Sequence, residues 1–510
     1  MKKEIQLDAN GKRKFGFRDK LAYAAGDLGC NMSFSLKGTI QTFWLVYMML
    51  DLGLLSVLLL VVQIWDAIND PLIGSMIDAD KRKYKLGKFK TYVLIGSIGL
   101  LVAGSLCFIP LPEGIRMSEK LGHTIIKSAI FIIAYVIWDA CYTVANIPYG
   151  SMLSLVTENP GERAQLSTWR SIGSMIGNML PMVLLPFLIW RDILDENGNP
   201  IKNEETGEIM QELVGGNVFW TALIMGVIGF ICFLFMIKKI TLRVDENSVK
   251  TNETEKFNVL EAFKNFIKNR PAVGATLAAM AMFLGMNAAT TAISIMFTVY
   301  FGKGELSGIV SVVGFLPMLF FMPFIKKIVE KWGKKEASVA GALVSVIGAV
   351  LMFIFPIVGA SGNKTVALIV YMASLCIFGL GMGVYTCVSW ALMADAIDYS
   401  EWKTGKREEG TVYSLHSFFR KLAQSIGPSM VLLLMALIGY DDDKKVGEQT
   451  LQTAENMCWL VAGLYLFSAI LMFVGLAFIY NLDKKTTENM LSDLESRKAA
   501  SSETEEGEAV

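Results

Sequence analysis

Apolar runs of about twenty residues recur along the whole chain, and this repetition limits the fold more than any other feature. A run of that length matches the hydrocarbon core of a bilayer, about 30 Å at 1.5 Å per helical residue. Twelve such segments can be counted, near 22–49, 54–77, 91–110, 127–156, 168–190, 217–237, 272–301, 306–325, 337–358, 366–397, 411–439 and 457–480. Charged residues are only 18% of the total, below the roughly 25% of an ordinary soluble domain. The pattern predicts an all-α, multi-pass membrane protein with twelve transmembrane helices.

Several function classes drop out early. The net charge is zero, so no electrostatic case for nucleic acid arises. The seven cysteines are scattered, mostly within apolar runs, and read as small hydrophobes. Two histidines cannot build a His-based metal site. The first residues, MKKEIQLDANGKRKFGFRDK, lack the apolar core of a cleavable signal peptide.

Loop charge orients the spans. The connection DADKRKYKLGKFK holds six basic and two acidic residues, and KKIVEKWGKKE at 326–336 holds five and two. The connection 191–216 runs the other way, with seven acidic and two basic, and DDD at 441–443 falls on its side. By the positive-inside rule both termini are expected in the cytoplasm, and the plasma (inner) membrane is the expected location. The polar break 238–270 divides the spans six and six, and FNVLEAFKNFIKN within it has the spacing of an amphipathic surface helix. The expected organisation is a cytoplasmic tail 1–20, a six-helix bundle 21–237, a cytoplasmic central loop 238–270, a second bundle 271–482 and a disordered tail 483–510. Both bundles carry a Gly-Lys in the basic loop after their second span, a weak sign of two pseudo-symmetric halves.

Against this apolar background the stretch QIWDAINDP stands out. Asp66 and Asp70 are four residues apart and share one helix face, with Asn69 beside them. Asp66 lies about twelve residues, or roughly 18 Å, into its span, too deep for a short side chain to reach the interface. A charge at the bilayer centre costs about 2.5–3.5 kcal/mol on insertion scales, so two need compensation. A shared Na⁺ or a bound proton supplies it, and a buried salt bridge is the structural alternative. WDACYTVANIPYGS adds Asp139, Thr143 and Asn146, with Pro148 able to kink the helix. GDLGCNMS places Asp27 and Asn31 four apart among glycines that permit close approach. In SLHSFFRKLAQSIGPS, Lys421 lies well inside a span and needs a counter-ion or a polar substrate, with Asp66 or Asp70 the available carboxylates. Arg420 reads as a charge at the cytoplasmic end and His416 as a packing residue. An intramembrane aspartyl protease would need two carboxylates meeting from separate helices; here the strongest pair shares one helix. A channel lacks a repeated filter signature.

QIWDAINDPLIGSMID, the loop GKFK, YTVANIPYGSML and MADAIDYSEWKTGKREEGTVYSLHSFFRKLAQSIG together resemble the glycoside–pentoside–hexuronide:cation symporters of the major facilitator superfamily. The resemblance spans nearly the whole chain. It implies a non-enzymatic secondary transporter with the major facilitator fold, two six-helix bundles moving a sugar together with Na⁺ or H⁺ by alternating access. No cofactor is implied, and a single copy is expected to function. Carried over, the cation site falls on Asp66, Asn69, Asp70 and Thr143, which would be the metal ligands if sodium is used. Substrate positions fall on Asn31, Trp138, Asn146, Arg170 and Lys421, and a cytoplasmic gate on Arg163, Asp395 and Arg407. Asn31 and Asn146 stand where galactoside carriers have carboxylates. An amide both donates and accepts, so a sugar still fits, and the loss of two negative charges would ease an anionic one, with Arg170 and Lys421 as counter-charges. Xylosides, other plant glycosides and glucuronides remain open, and lysolipid transport on the same fold is the alternative.

Overall fold

The structure is a computed structural model and describes residues 12–80, 82–157, 159–244, 259–405 and 409–508. The chain forms two compact units. The first comprises Met1–Glu253, Ser294–Ile309 and Gly439–Leu451, and the second Thr254–Ile293, Val310–Ile438 and Gln452–Val510. Arg407 and residues 245–258 of the expected central loop lie outside the described residues.

The first unit is built from α1 (Phe17–Phe34), α2 (Lys37–Thr42), α3 (Leu52–Ala79), α4 (Lys88–Leu106), the single turn α5 (Glu113–Arg116), α6 (Leu121–Val156), α7 (Pro160–Ile189) and α8 (Gly215–Lys239). Helix α1 packs on α7 and α8, α4 on α6 and α8, and α3 on α6. The closest approach is made by glycine. A Cβ on Gly173 or Gly177 of α7 would collide with the backbone carbonyls of Ala24 or Leu28 on α1, so these positions set how near the two helices lie. Helix α3 shows the expected two faces. Ile64, Ile68, Leu72 and Met76 recur every four residues and are exposed, as lipid-facing side chains are, while Leu55, Leu59, Val62 and Asn69 are buried. Pro148 does not break α6, which runs through it.

Loop 191–216 is more ordered than a polar connection suggests. Strands β1 (Trp190–Asp192) and β2 (Gln211–Leu213) pair antiparallel. Gln211 Nε2 donates to Glu305 Oε2 at 2.9 Å, and Asn203 Nδ2 donates to the carbonyls of Gly447 and Gln449 at 2.8 and 3.1 Å. These bonds draw 294–309 and 439–451 into the first unit, where the sequence had assigned them to the second bundle.

The second unit contains α9 (Val259–Lys268), α10 (Arg270–Val299), α11 (Leu306–Phe320), α12 (Ile325–Trp332), α13 (Lys334–Met352), α14 (Ile354–Ala360), α15 (Lys364–Thr404), α16 (Glu409–Leu437), α17 (Leu451–Val474) and α18 (Lys484–Glu508). Helix α9 lies where the amphipathic helix was expected. It docks on α16 through stacked Phe266 and Phe419 and leaves Phe263 and Ile267, four apart, exposed. Two connections differ from expectation. The basic segment after α11 is itself a helix, α12, bent 57° from α11. The tail expected to be disordered forms α18 because Met490 and Leu494, again four apart, are buried in the protein, and Trp402 Nε1 donates to Asp493 Oδ2 at 3.1 Å.

Nine described helices are individually long and apolar enough to cross a membrane, ten with the bent pair α11–α12. The first and eleventh expected spans are also helical, as α1–α2 and α16, but carry many ionisable and polar side chains. Those two segments hold Asp27, Asn31, Lys37, His416, Arg420 and Lys421.

Candidate functional site

Three helices of the first unit meet around the QIWDAINDP carboxylates. Thr143 Oγ1 on α6 donates to Asp70 Oδ1 at 2.8 Å, and Asn69 Nδ2 reaches Thr143 Oγ1 at 3.4 Å. The i, i+3 and i, i+4 geometry of α3 faces Asn69 and Asp70 toward α6, where Thr143 is buried. Asp70, Asn69 and Thr143 therefore form one cluster of hard oxygen donors, a carboxylate, an amide and a hydroxyl, suited to a monovalent cation as cargo. No three of His, Cys, Asp and Glu gather as a metal cage among the described residues.

Asp66 is engaged differently. Its Oδ2 lies 3.5 Å from Nζ of Lys37 on the short helix α2. The Lys37 ammonium also sits 5.3 Å from the centroid of the Phe34 ring. Asp139, one helical turn before Thr143 on α6, is 2% exposed, and its Oδ2 has no hydrogen-bond partner among the described residues. The sequence reading missed Lys37. The signal was present: a lysine inside an apolar span obeys the same rule that singled out Lys421.

The substrate positions divide. Arg170 Nε on α7 donates to Asp27 Oδ1 on α1 at 3.0 Å, and its guanidinium lies 5.2 Å from the Tyr149 ring centroid. Asn31 Nδ2 donates to Asp27 Oδ2 at 3.1 Å, and Asn178 Nδ2 donates to Asn31 Oδ1 at 2.8 Å. Asp27, Asn31, Arg170 and Asn178 thus make one polar cluster, held together by the close α1–α7 approach at Gly173 and Gly177. Arg170 has a carboxylate partner already, which the sequence reading had not given it. Asn146 is half-buried, and its side chain makes no hydrogen bond among the described residues. Trp138 departs from its expected place beside the substrate. It is 1% exposed, its Nε1 donates to Ser33 Oγ at 2.9 Å, and it packs against Tyr135 and Gly104. No face of the indole is left for a ligand, so Trp138 is a packing residue between α4, α6 and α1.

Lys421 lies on α16 of the second unit and is half-buried. Near it on the same helix, Arg420 is 5.3 and 5.4 Å from the ring centroids of Phe283 and Trp390, and His416 Nδ1 is 2.8 Å from Thr276 Oγ1. His416 is a satisfied packing residue, as expected. Arg420 is held among aromatic rings rather than at a solvated helix end, a correction to the sequence reading.

Two of the three expected gate residues are held within their own unit. Arg163 Nε donates to the Thr157 carbonyl at 2.8 Å, and Asp395 pairs with Lys334 Nζ at 2.6 Å. Arg407 lies outside the described residues. At the loop after α3, hydrogen bonds from Tyr84, from Tyr92 and from the Arg82 amide lower the Asp80 carboxyl to about 2.

Comparison with known proteins agrees with this architecture. Solved structures sharing the fold include the inward-open xylose transporter XylE of E. coli, with a TM-score of 0.55 at 14% identity over 92% of this chain and 98% of that one. A bacterial homologue of the lysosomal transporter Spinster gives 0.56 at 13% identity over 94% and 99%. The molecule therefore has the major facilitator fold of secondary active transporters. The model of the family described as MFS/sugar transport protein matches residues 22–484, and the chain belongs to that family, whose members are transporters and not enzymes. Relatives of nearly full length include the uncharacterized symporter YjmB of Bacillus subtilis, 29% identical over 95% of this chain and 96% of that protein. The glucuronide carrier protein homolog of E. coli is 26% identical over 95% and 97%, and the isoprimeverose transporter of Lactiplantibacillus pentosus 27% over 96% and 93%.

Proposed function

We propose that this secondary active sugar symporter couples a neutral glycoside or pentoside to a monovalent cation, Na⁺ or H⁺. Asp70, Asn69 and Thr143 form the core of the cation site. The observation that carries the substrate reading is the cluster of Asp27, Asn31, Arg170 and Asn178. Sugar hydroxyls both donate and accept, and this cluster offers a carboxylate, two amides and a guanidinium within hydrogen-bond reach of one another. Because Asp27 neutralises Arg170, the pair presents little net positive charge to a substrate carboxylate or sulfonate. Relatives named for a glucuronide and for isoprimeverose mark the two chemistries to be separated. Cation occupancy raises sugar affinity, and by reciprocity sugar raises cation affinity by the same factor.

The protein works as a monomer in the inner membrane with both termini cytoplasmic, a reading supported by the alternation of basic and acidic loops. Uptake into proteoliposomes of a radiolabelled xyloside, a glucoside and a glucuronide, each with and without a Na⁺ or H⁺ gradient, tests the proposal. Gradient-driven accumulation of the neutral sugars is expected. Accumulation of the glucuronide alone, or of none under any gradient, refutes it.

A further inference from the structure

We infer that Lys37 is a tethered cation that competes with the transported ion for Asp66, so that it sets how tightly the carrier binds Na⁺. The inference rests on Asp66, Asn69, Asp70 and Thr143 being the coupling-ion set, and it deepens that reading by adding a residue that set does not contain.

Four observations lead to it. First, Asp66 and Asp70 share a face of α3 and could serve one monovalent ion together, but Asp66 Oδ2 is 3.5 Å from the Lys37 ammonium while Asp70 bonds Thr143. The lysine divides the pair. Second, the contact is loose. At 3.5 Å it is longer than a well-formed N–H···O bond, and the two side chains keep 24% and 18% of their surface exposed. Structural pairs in the same unit are tighter and more deeply buried. Asp19 is fully buried and bonds both Arg13 and Arg243, the latter at 2.9 Å. Third, Lys37 is carried by α2, a six-residue helix separated from α1 by Ser35 and Leu36. It can withdraw from Asp66 without moving α1. Fourth, another acceptor is close by. Asp139, on the helix that supplies Thr143, has a buried Oδ2 without a partner and lies within electrostatic reach of Lys37, as does Tyr135.

The physical consequence is mutual exclusion. Two monovalent cations cannot both be held by one carboxylate oxygen without repelling each other at short range in a medium of low dielectric. An ion seated at Asp70, Asn69 and Thr143 recruits Asp66 only when the ammonium leaves it. The ammonium therefore lowers Na⁺ affinity by holding a positive charge at Asp66. Removing the charge leaves Asp66 in a largely buried site with no cation of its own, and an inorganic ion then gains a second carboxylate.

Binding of radioactive sodium to the purified full-length protein in nanodiscs at neutral pH tests this. Lys37→Met is expected to bind Na⁺ at least about tenfold more tightly than wild type, equivalent to about 1.4 kcal/mol. Lys37→Arg, which keeps the charge, is expected to bind as wild type does. Adding Asp66→Asn to Lys37→Met should remove the gain. Lys37→Gln repeats the measurement independently should the Met variant not fold. If the neutral variants bind no tighter than wild type while Asp70→Asn abolishes wild-type binding, the ion-site reading stands and the role of Lys37 is overturned. If the gain in Lys37→Met survives both Asp66→Asn and Asp70→Asn, the ion lies elsewhere, and the ion-site reading falls with the inference.

Discussion

Asp27→Asn separates a neutral substrate from an anionic one. The substitution keeps the shape of the side chain and removes its charge. Asp27 is nearly buried, with 6% of its side chain exposed, and Arg170 keeps 37%. In wild type the guanidinium charge is offset by a carboxylate 3.0 Å away. At a charge separation of about 4 Å and an effective dielectric near 20, the gross attraction is about 4 kcal/mol. Because Arg170 is more than a third exposed, solvent screens the pair, and the net worth falls toward the low end of about 1.5–3 kcal/mol for a charged hydrogen bond. Asp27→Asn should weaken a neutral glycoside, since one of the two carboxylate oxygens that accept from Asn31 and Arg170 becomes an NH2 donor and the ion pair is lost. It should also free a positive charge. The ratio of glucuronide to glucoside affinity should therefore rise by about tenfold or more, as 1.4 kcal/mol predicts. Isothermal titration of both sugars against wild type and variant, at saturating cation, measures that ratio. A wild type that already prefers the glucuronide, and loses that preference in Asp27→Asn, would show that Arg170 serves the anion despite its partner and refute the reasoning.

Other substitutions test other parts of the account. Asp19→Asn leaves Arg13 and Arg243 without their shared buried carboxylate, and unfolding in detergent should register a loss of about 3–5 kcal/mol; an unchanged melting curve would mean the network is dispensable. Trp138→Phe removes the indole bond to Ser33 and should cost about 1 kcal/mol of stability while sugar affinity stays within error, whereas a selective loss of affinity would restore the substrate role. Hydrogen bonds from Tyr84, Tyr92 and Arg82 hold Asp80 down to about 2 from an ordinary 3.8. Its stabilising contribution is then complete above the ordinary value, declines as pH falls below it, and is gone once pH has fallen through about 2. Amide exchange across residues 82–87, corrected for intrinsic rates, should show full protection at about pH 5 that declines progressively between about pH 4 and pH 2 in wild type, and protection unchanged across that window would contradict the assignment.

Much of this architecture is legible in residue order because span length and loop charge are set by the bilayer rather than by particular partners. The exposed stripe of Ile64, Ile68, Leu72 and Met76 and the buried Asn69 follow from helical phase alone. Phase says which residues share a face and not which helix that face meets. That is why Thr143 was placed beside Asp70 only through a family resemblance, and why the pairing of Arg170 with Asp27 was missed. Trp138 fails for the same reason: one sequence does not reveal that its indole turns toward Ser33 and Gly104. The tail was misjudged because its polar composition hid Met490 and Leu494, whose spacing fits one helix face. Strands β1 and β2 were illegible because three-residue strands are specified by their cross-strand neighbours and not by their own pattern.

The way the embedded charges are satisfied separates scaffold from machinery. A polar atom buried away from water without a partner costs a few kcal/mol. Asp19 and Asp395 are themselves buried and sit close to cations within their own units, at 2.9 and 2.6 Å. They can hold helices in place through a transport cycle. The exceptions fall elsewhere. Among the described residues, Asp139 keeps an unpartnered Oδ2 on the helix that supplies Thr143, and Arg420 keeps an unpartnered Nε on the helix that supplies Lys421. Asp66 holds its lysine at 3.5 Å, longer than either scaffold contact. Among the described residues such atoms also occur away from the site, at Trp190, Glu336 and Asn481; those at Asp139 and Arg420 differ in standing on helices that carry residues assigned to ion and substrate. A carrier that binds and releases its cargo needs groups whose partners can change. In these helices the hydrogen-bonding capacity left over by the fold is what a cation or a sugar hydroxyl would take up.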